Sequence, residues 1–204
     1  MNLSKTYFLK SVLSLNNLPE DSGVEVAFAG RSNAGKSSAL NAITRIGKLA
    51  KTSKTPGRTQ AINYFCVEDP KYRLVDLPGY GYAKVAQDLK KQWQALLDAY
   101  FQNRQSLKGL FLIMDIRHPL MPFDKIMLTW ASFAKIPVHI LLTKADKLNK
   151  SPAKNTLLQV QKQIKNLENL ENLNYSIQLF SSHAPLGTEE AKNKLLQWLS
   201  PGQI

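Results

Sequence analysis

The sequence has a single cysteine, Cys66, and no apolar run that approaches the roughly 20 residues needed for a membrane-spanning helix. One cysteine excludes a disulfide within the chain, which suits a reducing compartment. The first residues, MNLSKTYFLKSVLSL, contain lysines but lack the continuous apolar core and the small-residue cleavage site of a secretory signal. Together these absences predict a cytoplasmic protein.

Acidic side chains are scarce. The chain has 15 Asp and Glu residues and 27 Lys and Arg residues, which gives a formal net charge of +12 and an isoelectric point near 9.8. No acidic residue lies between Glu25 and Glu68, and that interval contains Arg31, Lys36, Arg45, Lys48, Lys51, Lys54 and Arg58. A field of this sign favours a polyanionic partner, either nucleic acid or an anionic membrane surface. The alternative is a generally lysine-rich surface without such a partner.

Apolar runs alternate with helical patterns along the chain. The runs at 24–30, 109–116 and 138–144 are typical of buried parallel strands, and the segments around the DPK turn at 69–71 indicate an antiparallel hairpin. This order predicts an α/β fold: one doubly wound, mostly parallel sheet with an antiparallel edge hairpin and helices on both faces. Residues 1–22 are predicted to form an N-terminal extension that packs on this domain, which spans residues 23–204.

The segment GRSNAGKS follows the first predicted strand and opens a helix, which is the context that a phosphate-binding P-loop requires. Its backbone N–H groups would surround phosphate oxygens at the helix N-terminus. Lys36 would reach the β- and γ-phosphates, and the Ser37 hydroxyl would be a ligand of Mg²⁺. The predicted nucleotide-binding residues here are Gly30, Arg31, Ser32, Asn33, Ala34, Gly35, Lys36 and Ser37.

Asp76 lies 40 residues beyond Lys36, at the end of a predicted strand and within the turn DLPG. A carboxylate at this place would hold Mg²⁺ through water, and the N–H of Gly79 would contact a γ-phosphate. The turn therefore adds Asp76, Leu77, Pro78 and Gly79 to the predicted nucleotide site.

The segment TKAD closes the apolar run VHILL, at the edge of the sheet where ligands bind. A carboxylate there can accept hydrogen bonds from the N1–H and N2 amino group of guanine, a donor pair that adenine lacks. Asp146 is therefore predicted to recognise the base, and the stem of Lys144 to pack along the base and ribose. The whole set is Thr143, Lys144, Ala145 and Asp146, with backbone N–H groups of Phe180, Ser181 and Ser182 expected to meet guanine O6.

The ordered motifs VEVAFAGRSNAGKSS, SKTPGRTQAINYF, DLPGYGYAK and TKAD closely resemble those of the EngB (YihA/YsxC) family of bacterial GTPases. This family lies in the TrmE–Era–EngA–EngB–septin-like branch of the translation-factor-like GTPases. The resemblance implies a single Ras-like P-loop GTPase domain with Mg²⁺ as cofactor. It implies that Thr59 is a second metal ligand beside Ser37, and that the nucleotide contacts Gly57, Arg58, Thr59, Gln60 and Ala61.

Tyr80 stands where Ras-type GTPases have a glutamine that orients the attacking water, a task that a tyrosine cannot perform. Three sources of catalytic charge stay open. Asn33 matches the P-loop asparagine that helps to hold K⁺ in potassium-activated relatives, Arg58 could act within the chain, or a partner could donate a group. The predicted catalytic residues are Lys36, Asn33 and Thr59, and intrinsic GTP hydrolysis is expected to be slow. Tyr80 and Tyr82 are expected to expose aromatic surface in one nucleotide state.

The resemblance implies a GTP/GDP switch in assembly of the large ribosomal subunit, linked in the family to cell division and septation. A monomer is expected. Ribosomal RNA is the expected partner, bound more tightly when GTP orders the basic loop that carries Thr59. The alternatives are a basic RNA-binding module with a vestigial nucleotide site, a P-loop ATPase or kinase, and a membrane-associated GTPase. Intact Lys36, Ser37, Thr59 and Asp76 argue against the first of these, and the TKAD and DLPG motifs argue against the second.

Overall fold

The structure of the protein, a computed structural model, describes residues 1–50, 61–80 and 87–200, with the backbone alone for 87–93. The predicted site residues Gly57, Arg58, Thr59 and Gln60, the basic residues Lys51 and Lys54, and Tyr82 lie outside the described residues.

Within the described ranges, seven strands form one sheet in the order β1-β3-β4-β2-β5-β6-β7. Neighbours from β4 to β7 pair in parallel, whereas β1 with β3 and β3 with β4 pair antiparallel. This confirms the predicted mostly parallel sheet with an antiparallel edge. The strands are β1 (Thr6–Val12), β2 (Val24–Gly30), β3 (Ile62–Val67), β4 (Asp69–Asp76), β5 (Leu107–Asp115), β6 (Val138–Thr143) and β7 (Tyr175–Leu179).

Helices cover both faces of the sheet, which explains why β2, β5 and β6 are almost continuously apolar: each of them is buried on both sides. One apolar core lies under α2, α3 and α4, and a second lies under α1 and α5. The helices are α1 (Lys36–Thr44), α2 (Gln87–Asn103), α3 (Pro122–Phe133), α4 (Lys150–Lys165) and α5 (Thr188–Leu199). None of the helices in the described ranges is long and apolar enough to cross a membrane.

Strand β1 lies within residues 1–22, where the sequence analysis predicts an extension but no strand. Thr6 and Val12 are buried and the residues between them are mostly exposed, so β1 lacks the alternation that marks a half-buried strand. Its register on β3 shifts between Phe8 and Lys10. The strand therefore forms because the segment pairs with β3, and no local apolar pattern accounts for it.

A charged cluster closes the end of the sheet where β2 begins. Glu25 is fully buried, and its carboxylate accepts hydrogen bonds from Arg73 of β4 at 2.8 Å and from Arg104 at 2.7 and 3.0 Å. The Tyr100 hydroxyl of α2 donates to the same carboxylate at 3.0 Å. This cluster joins β2, β4 and the C-terminal end of α2 on the side opposite the predicted nucleotide site.

Candidate nucleotide-binding site

The predicted P-loop connects the end of β2 to the start of α1. Gly35, the residue before α1, has φ of 99°, a conformation that glycine adopts without strain. A Cβ on Gly30 would lie 2.7 Å from the carbonyl oxygen of Ile113, so only glycine permits this approach of β2 to β5. These two glycines place the loop and the first turn of α1 at the carboxyl edge of the sheet.

Lys36, at the end of this loop, forms an ion pair with Asp76. Lys36 begins α1 and Asp76 ends β4, and the register of the parallel pair places Phe28 of β2 opposite Asp76. The Lys36 ammonium donates to Asp76 Oδ1, and the two side chains are 11% and 10% exposed. The phosphate-binding cation and the metal-binding carboxylate predicted from sequence are thus adjacent and satisfy one another.

The DLPG turn packs directly on the P-loop. The N–H of Ser32 donates to the Tyr80 carbonyl at 2.8 Å, and the N–H of Tyr80 donates to the Gly30 carbonyl at 3.4 Å. A Cβ on Gly79 would lie 3.5 Å from Ser32 Cα, and Leu77 and Pro78 are buried. A movement of this turn away from the P-loop would therefore break these two hydrogen bonds.

The Tyr80 side chain is almost completely buried in this structure. Its side chain is 4% exposed, its ring centroid lies 4.6 Å from that of Phe123, and its hydroxyl donates to Asp124 Oδ1 at 2.5 Å. The side chain at the glutamine position is thus held by the first turn of α3. The sequence analysis did not identify Asp124, although a Pro at the first helical position followed by an Asp in the first turn is a recognisable helix-start signal.

Asp124 links Tyr80 to the start of α3. Its Oδ2 accepts the N–H of Met121 at 2.9 Å. Burial raises the pKa of Asp124 to about 6, against the opposing effects of the Tyr80 hydroxyl, the Met121 N–H and the positive charge of Arg31.

The predicted base-recognition loop is braced by the end of the neighbouring strand. Ser181 donates its hydroxyl to Asp146 Oδ1 at 2.7 Å, and Lys147 lies 3.2 Å from Asp146 Oδ2. The Ser181 hydrogen bond and the Lys147 charge lower the pKa of Asp146, so the carboxylate is ionised at neutral pH. The N–H of Ala145 donates to the Phe180 carbonyl at 3.1 Å. The two loops expected to surround guanine are therefore joined.

Thr143 occupies the position of the usual asparagine. Its hydroxyl lies 2.5 Å from the carbonyl oxygen of Ala34 in the P-loop and 3.0 Å from that of Met114 at the end of β5. Because a hydroxyl has one proton, the two carbonyls share this donor. Threonine thus fastens the base-recognition loop to the P-loop.

Lys144 bridges the same two loops from a left-handed backbone position, with φ of 59°. Its ammonium donates to the Asn33 carbonyl at 2.6 Å and pairs with Asp115 at 2.9 Å. Asn33 also has a positive φ, 63°, and its side chain is exposed.

Asp115, at the end of β5, is a site residue that the sequence analysis missed. Burial alone would raise its pKa, but hydrogen bonds from Arg117 and Lys144 outweigh that effect and hold the pKa of Asp115 well below its usual range. The only signal in the sequence is the D-I-R segment that follows the apolar run of β5.

Among residues 180–182, two backbone donors are occupied within the protein. The N–H of Phe180 donates to the Leu142 carbonyl at 2.9 Å, and that of Ser181 to the Leu186 carbonyl at 3.0 Å. Within the described part of the chain, Ser182 has no backbone partner for its N–H. Ala61, the last residue of the predicted 57–61 segment, is buried directly before β3.

The described residues contain no group of three or more His, Cys, Asp or Glu side chains that could hold a metal ion by themselves. The donors near the P-loop are instead a hydroxyl, Ser37, and a carboxylate, Asp76. Both are hard oxygen ligands of the kind that Mg²⁺ prefers when phosphates and water supply its other ligands. The fold and this arrangement of loops define a P-loop GTPase.

A model of the family described as 50S ribosome-binding GTPase matches residues 25–144. A probable GTP-binding protein EngB of Acinetobacter baumannii is 60% identical over 171 residues, which are 84% of this chain and 79% of that protein. The chain belongs to the EngB family of GTP-binding proteins.

Two solved structures share the fold. A crystal structure of a probable GTP-binding protein EngB aligns with a TM-score of 0.67 at 19% identity, covering 86% of this chain and 98% of that one. Era in complex with MgGDPNP and nucleotides of 16S ribosomal RNA aligns with a TM-score of 0.61 at 20% identity, covering 90% of this chain and 59% of the Era chain.

Proposed function

We propose that this GTPase is a molecular switch that binds the large ribosomal subunit or its precursor and acts in its assembly. The match to the 50S ribosome-binding family carries the proposal. The formal charge of +12 supports a ribosomal RNA partner. Era, which has the same fold, is described in complex with 16S ribosomal RNA. A role in cell division and septation would follow indirectly, through the supply of ribosomes.

The switch begins at the Lys36–Asp76 ion pair. A bound GTP would present its β- and γ-phosphates to Lys36, and Ser37 and Asp76 (the latter through water) would hold Mg²⁺, so the Lys36–Asp76 ion pair would separate when GTP binds. Mg²⁺ would supply charge neutralisation for the phosphates, with Thr59 as a further ligand. Because Asp76 is followed directly by the turn that packs on the P-loop, its rearrangement would loosen the contact between Tyr80 and the loop.

Hydrolysis is proposed to be slow because Tyr80 cannot orient water through an amide and its hydroxyl is bound to Asp124. The missing charge would come from K⁺ beside Asn33, from Arg58 or from the partner. If K⁺ supplies it, GTP turnover is faster in KCl than in NaCl at equal ionic strength, and Asn33→Ala removes the difference. Equal rates in the two salts would leave Arg58 and the partner as the sources.

Binding to the ribosome is tested by co-sedimentation with purified large subunits in GDP or in a non-hydrolysable GTP analogue, with small subunits as the control. More protein should sediment with large subunits in the analogue, because GTP would order the basic loop that carries Lys48, Lys51, Lys54 and Arg58. Equal sedimentation in both nucleotides would contradict a switch, and the absence of sedimentation in either would contradict the partner.

A further inference from the structure

Helix α4 lies in a part of the chain that has no acidic residue. From Lys147 to Leu167 there are five lysines and no Asp or Glu. The helix packs on the protein through its buried residues Ala153, Val160 and Ile164. Four of the five lysines belong to the helix itself, and all four are exposed: Lys150, Lys154, Lys162 and Lys165.

These four lysines share one side of α4. With 100° of rotation per residue, they fall within about 120° of the helix circumference. Leu158, which is 51% exposed, lies in the same sector. The adjoining exposed sector contains only uncharged residues: Pro152, Asn155, Gln159 and Gln163. The charge therefore forms a stripe, not an evenly basic helix.

The part of the protein that the structure describes does not neutralise this stripe. Among the described residues, no carboxylate forms an ion pair with any of the four lysines. Lys150 and Lys154 are like charges four residues apart, which destabilises a helix, and Lys150 also opposes the positive end of the helix dipole. The first turn contains no acid that could offset either effect. A feature that costs stability without local compensation indicates a function.

We propose that this stripe of four lysines, the lysine face of α4, binds the phosphate backbone of RNA. Lys150 and Lys154 are one helical turn apart, about 6 Å along the axis, and the stripe from Lys150 to Lys165 extends over about 22 Å. Phosphates of one strand follow each other at about 3.4 Å along a duplex axis, so such a stripe spans several of them.

A membrane surface fits this face less well. Helices that lie in a membrane interface insert an apolar face, but the apolar face of α4 is already buried on the core of the domain. Leu158 is the sole large apolar residue exposed on α4 in the described structure. What the helix offers to a partner is positive charge, which phosphates recognise.

The lysine face is a fixed surface, unlike the loop that is proposed to order with GTP. It lies on a helix with a buried side and does not depend on the nucleotide phosphates for its conformation. We therefore expect it to bind RNA equally in both nucleotide states. The inference rests on the proposed function only in the choice of RNA as the polyanion.

The test compares two variants of the 204-residue chain, each of which loses four positive charges. The α4 variant replaces the stripe with glutamine: Lys150→Gln, Lys154→Gln, Lys162→Gln and Lys165→Gln. The scattered control replaces four exposed lysines on other elements: Lys71→Gln, Lys108→Gln, Lys125→Gln and Lys135→Gln. Circular dichroism and GDP binding verify that both are folded. Affinity for a labelled 20-base-pair RNA duplex of arbitrary sequence is measured against KCl concentration, in GDP and in a GTP analogue.

We expect the α4 variant to bind the duplex at least about tenfold more weakly than the parent near 150 mM salt. The slope of the logarithm of its affinity against the logarithm of salt concentration should be shallower by about two to three. The affinity of the scattered control for the duplex should stay within about threefold of that of the parent. Both results should hold in GDP and in the GTP analogue. Equal losses in the two variants would overturn the proposal, since net charge alone would then explain binding. An effect confined to one nucleotide state would also overturn it.

Vesicles of phosphatidylserine and phosphatidylcholine distinguish the other polyanion. If the α4 variant loses vesicle binding but retains RNA binding, the face is a membrane site and the proposal is wrong. Failure of the proposed function appears elsewhere, as parent protein that does not sediment with large subunits. That result would leave the duplex measurement, and so the lysine face, unaffected.

Discussion

Asp146 uses each of its carboxylate oxygens within the protein, one with Ser181 and one with Lys147. Both contacts are compatible with the two acceptors that guanine N1–H and N2 require, since a carboxylate oxygen has more than one lone pair. The residue is thus oriented before the base arrives.

Replacing Asp146 with Asn should shift preference from guanine to xanthine nucleotides. The amide presents a donor to N1–H of guanine, which leaves buried polar groups unpaired, and we expect GDP affinity to fall about 100-fold or more. Titration with GDP and XDP by calorimetry measures the shift. The matched control is Ser181→Ala, which removes the brace but keeps the acceptors, so it should weaken both nucleotides alike. Unchanged GDP affinity in the Asp146 variant would disprove the base assignment.

Tyr80 contacts α3 through both its ring and its hydroxyl, and Tyr80→Phe removes the hydroxyl alone, so the variant isolates the contribution of the hydrogen bond to Asp124. The variant leaves Asp124 Oδ1 without this donor and should lose about 1–3 kcal/mol of unfolding free energy. Its GTP hydrolysis should change less than about threefold, because the hydroxyl is held by Asp124. Denaturant unfolding and single-turnover assays give the two values, with Tyr175→Phe as the control. A large loss of hydrolysis at unchanged stability would show that the Tyr80 hydroxyl acts in the reaction.

At the scale of elements, β6 and β7 are joined by a buried histidine. His139 Nε2 lies 2.7 Å from Gln178 Oε1 and Nδ1 lies 2.7 Å from Ser176 Oγ. The Gln178 amide nitrogen is already committed to the Gly187 carbonyl at 2.7 Å, so Oε1 faces the histidine as an acceptor. The neutral ring therefore carries its proton on Nε2 and accepts the Ser176 hydroxyl at Nδ1.

This arrangement predicts a loss of stability in acid. Burial lowers the pKa of His139, with the Gln178 hydrogen bond in opposition, so below about pH 6.5 the unfolded chain binds more protons than the folded one. The contribution is present above that pH and is lost as pH falls, at about 1.4 kcal/mol per unit of pKa difference. The raised pKa of Asp124 acts in the opposite direction, so the comparison must be between variants.

Unfolding free energies between pH 7.5 and 5 should fall less steeply in His139→Gln than in the parent. His118→Gln, which alters an exposed histidine, should keep the slope of the parent. If His139→Gln and the parent have the same slope, another group governs the acid sensitivity.

At the scale of the whole molecule, the Glu25 cluster holds the sheet together at the end away from the nucleotide. Two guanidinium groups, from Arg73 and Arg104, share one fully buried carboxylate. Arg73 also donates to the Pro70 carbonyl at 3.2 Å, and its other terminal nitrogen reaches the Ser22 carbonyl. Removing one member of a buried ion pair leaves the other charge uncompensated, which is more costly than the net value of the pair.

Glu25→Gln should therefore lower the unfolding free energy by about 3–5 kcal/mol. Denaturant titration measures this loss, and Glu68→Gln, which removes the exposed partner of Lys5, should have little effect. GDP affinity of the folded Glu25 variant should be close to that of the parent, because the cluster is remote from the P-loop. A Glu25 variant as stable as the Glu68 variant would show that the cluster contributes little.

Much of the fold and the P-loop could be read along the chain because their signals are local. Strands β2, β5 and β6 are recognisable in the sequence as apolar runs because both of their faces are buried. Gly30, Gly35 and Lys36 act within one strand–loop–helix unit, so their spacing alone predicts the loop. The place of Thr143 at the carboxyl edge of the sheet likewise follows from its position at the end of the apolar run of β6.

Only the tertiary structure decided the contacts between distant segments. Three contacts show this: Lys36 with Asp76, Tyr80 with Asp124, and Glu25 with Arg104. The residues of these pairs are separated in the sequence by 40, 44 and 79 positions. Strand β1 exists through its pairing with β3, since its own residues lack a strand pattern. Local propensity depends on near neighbours, whereas such pairs depend on which strands lie side by side and on which groups burial forces to find a partner. By itself the sequence determined the class of protein and its nucleotide loops, and folding determined how those loops are held against one another.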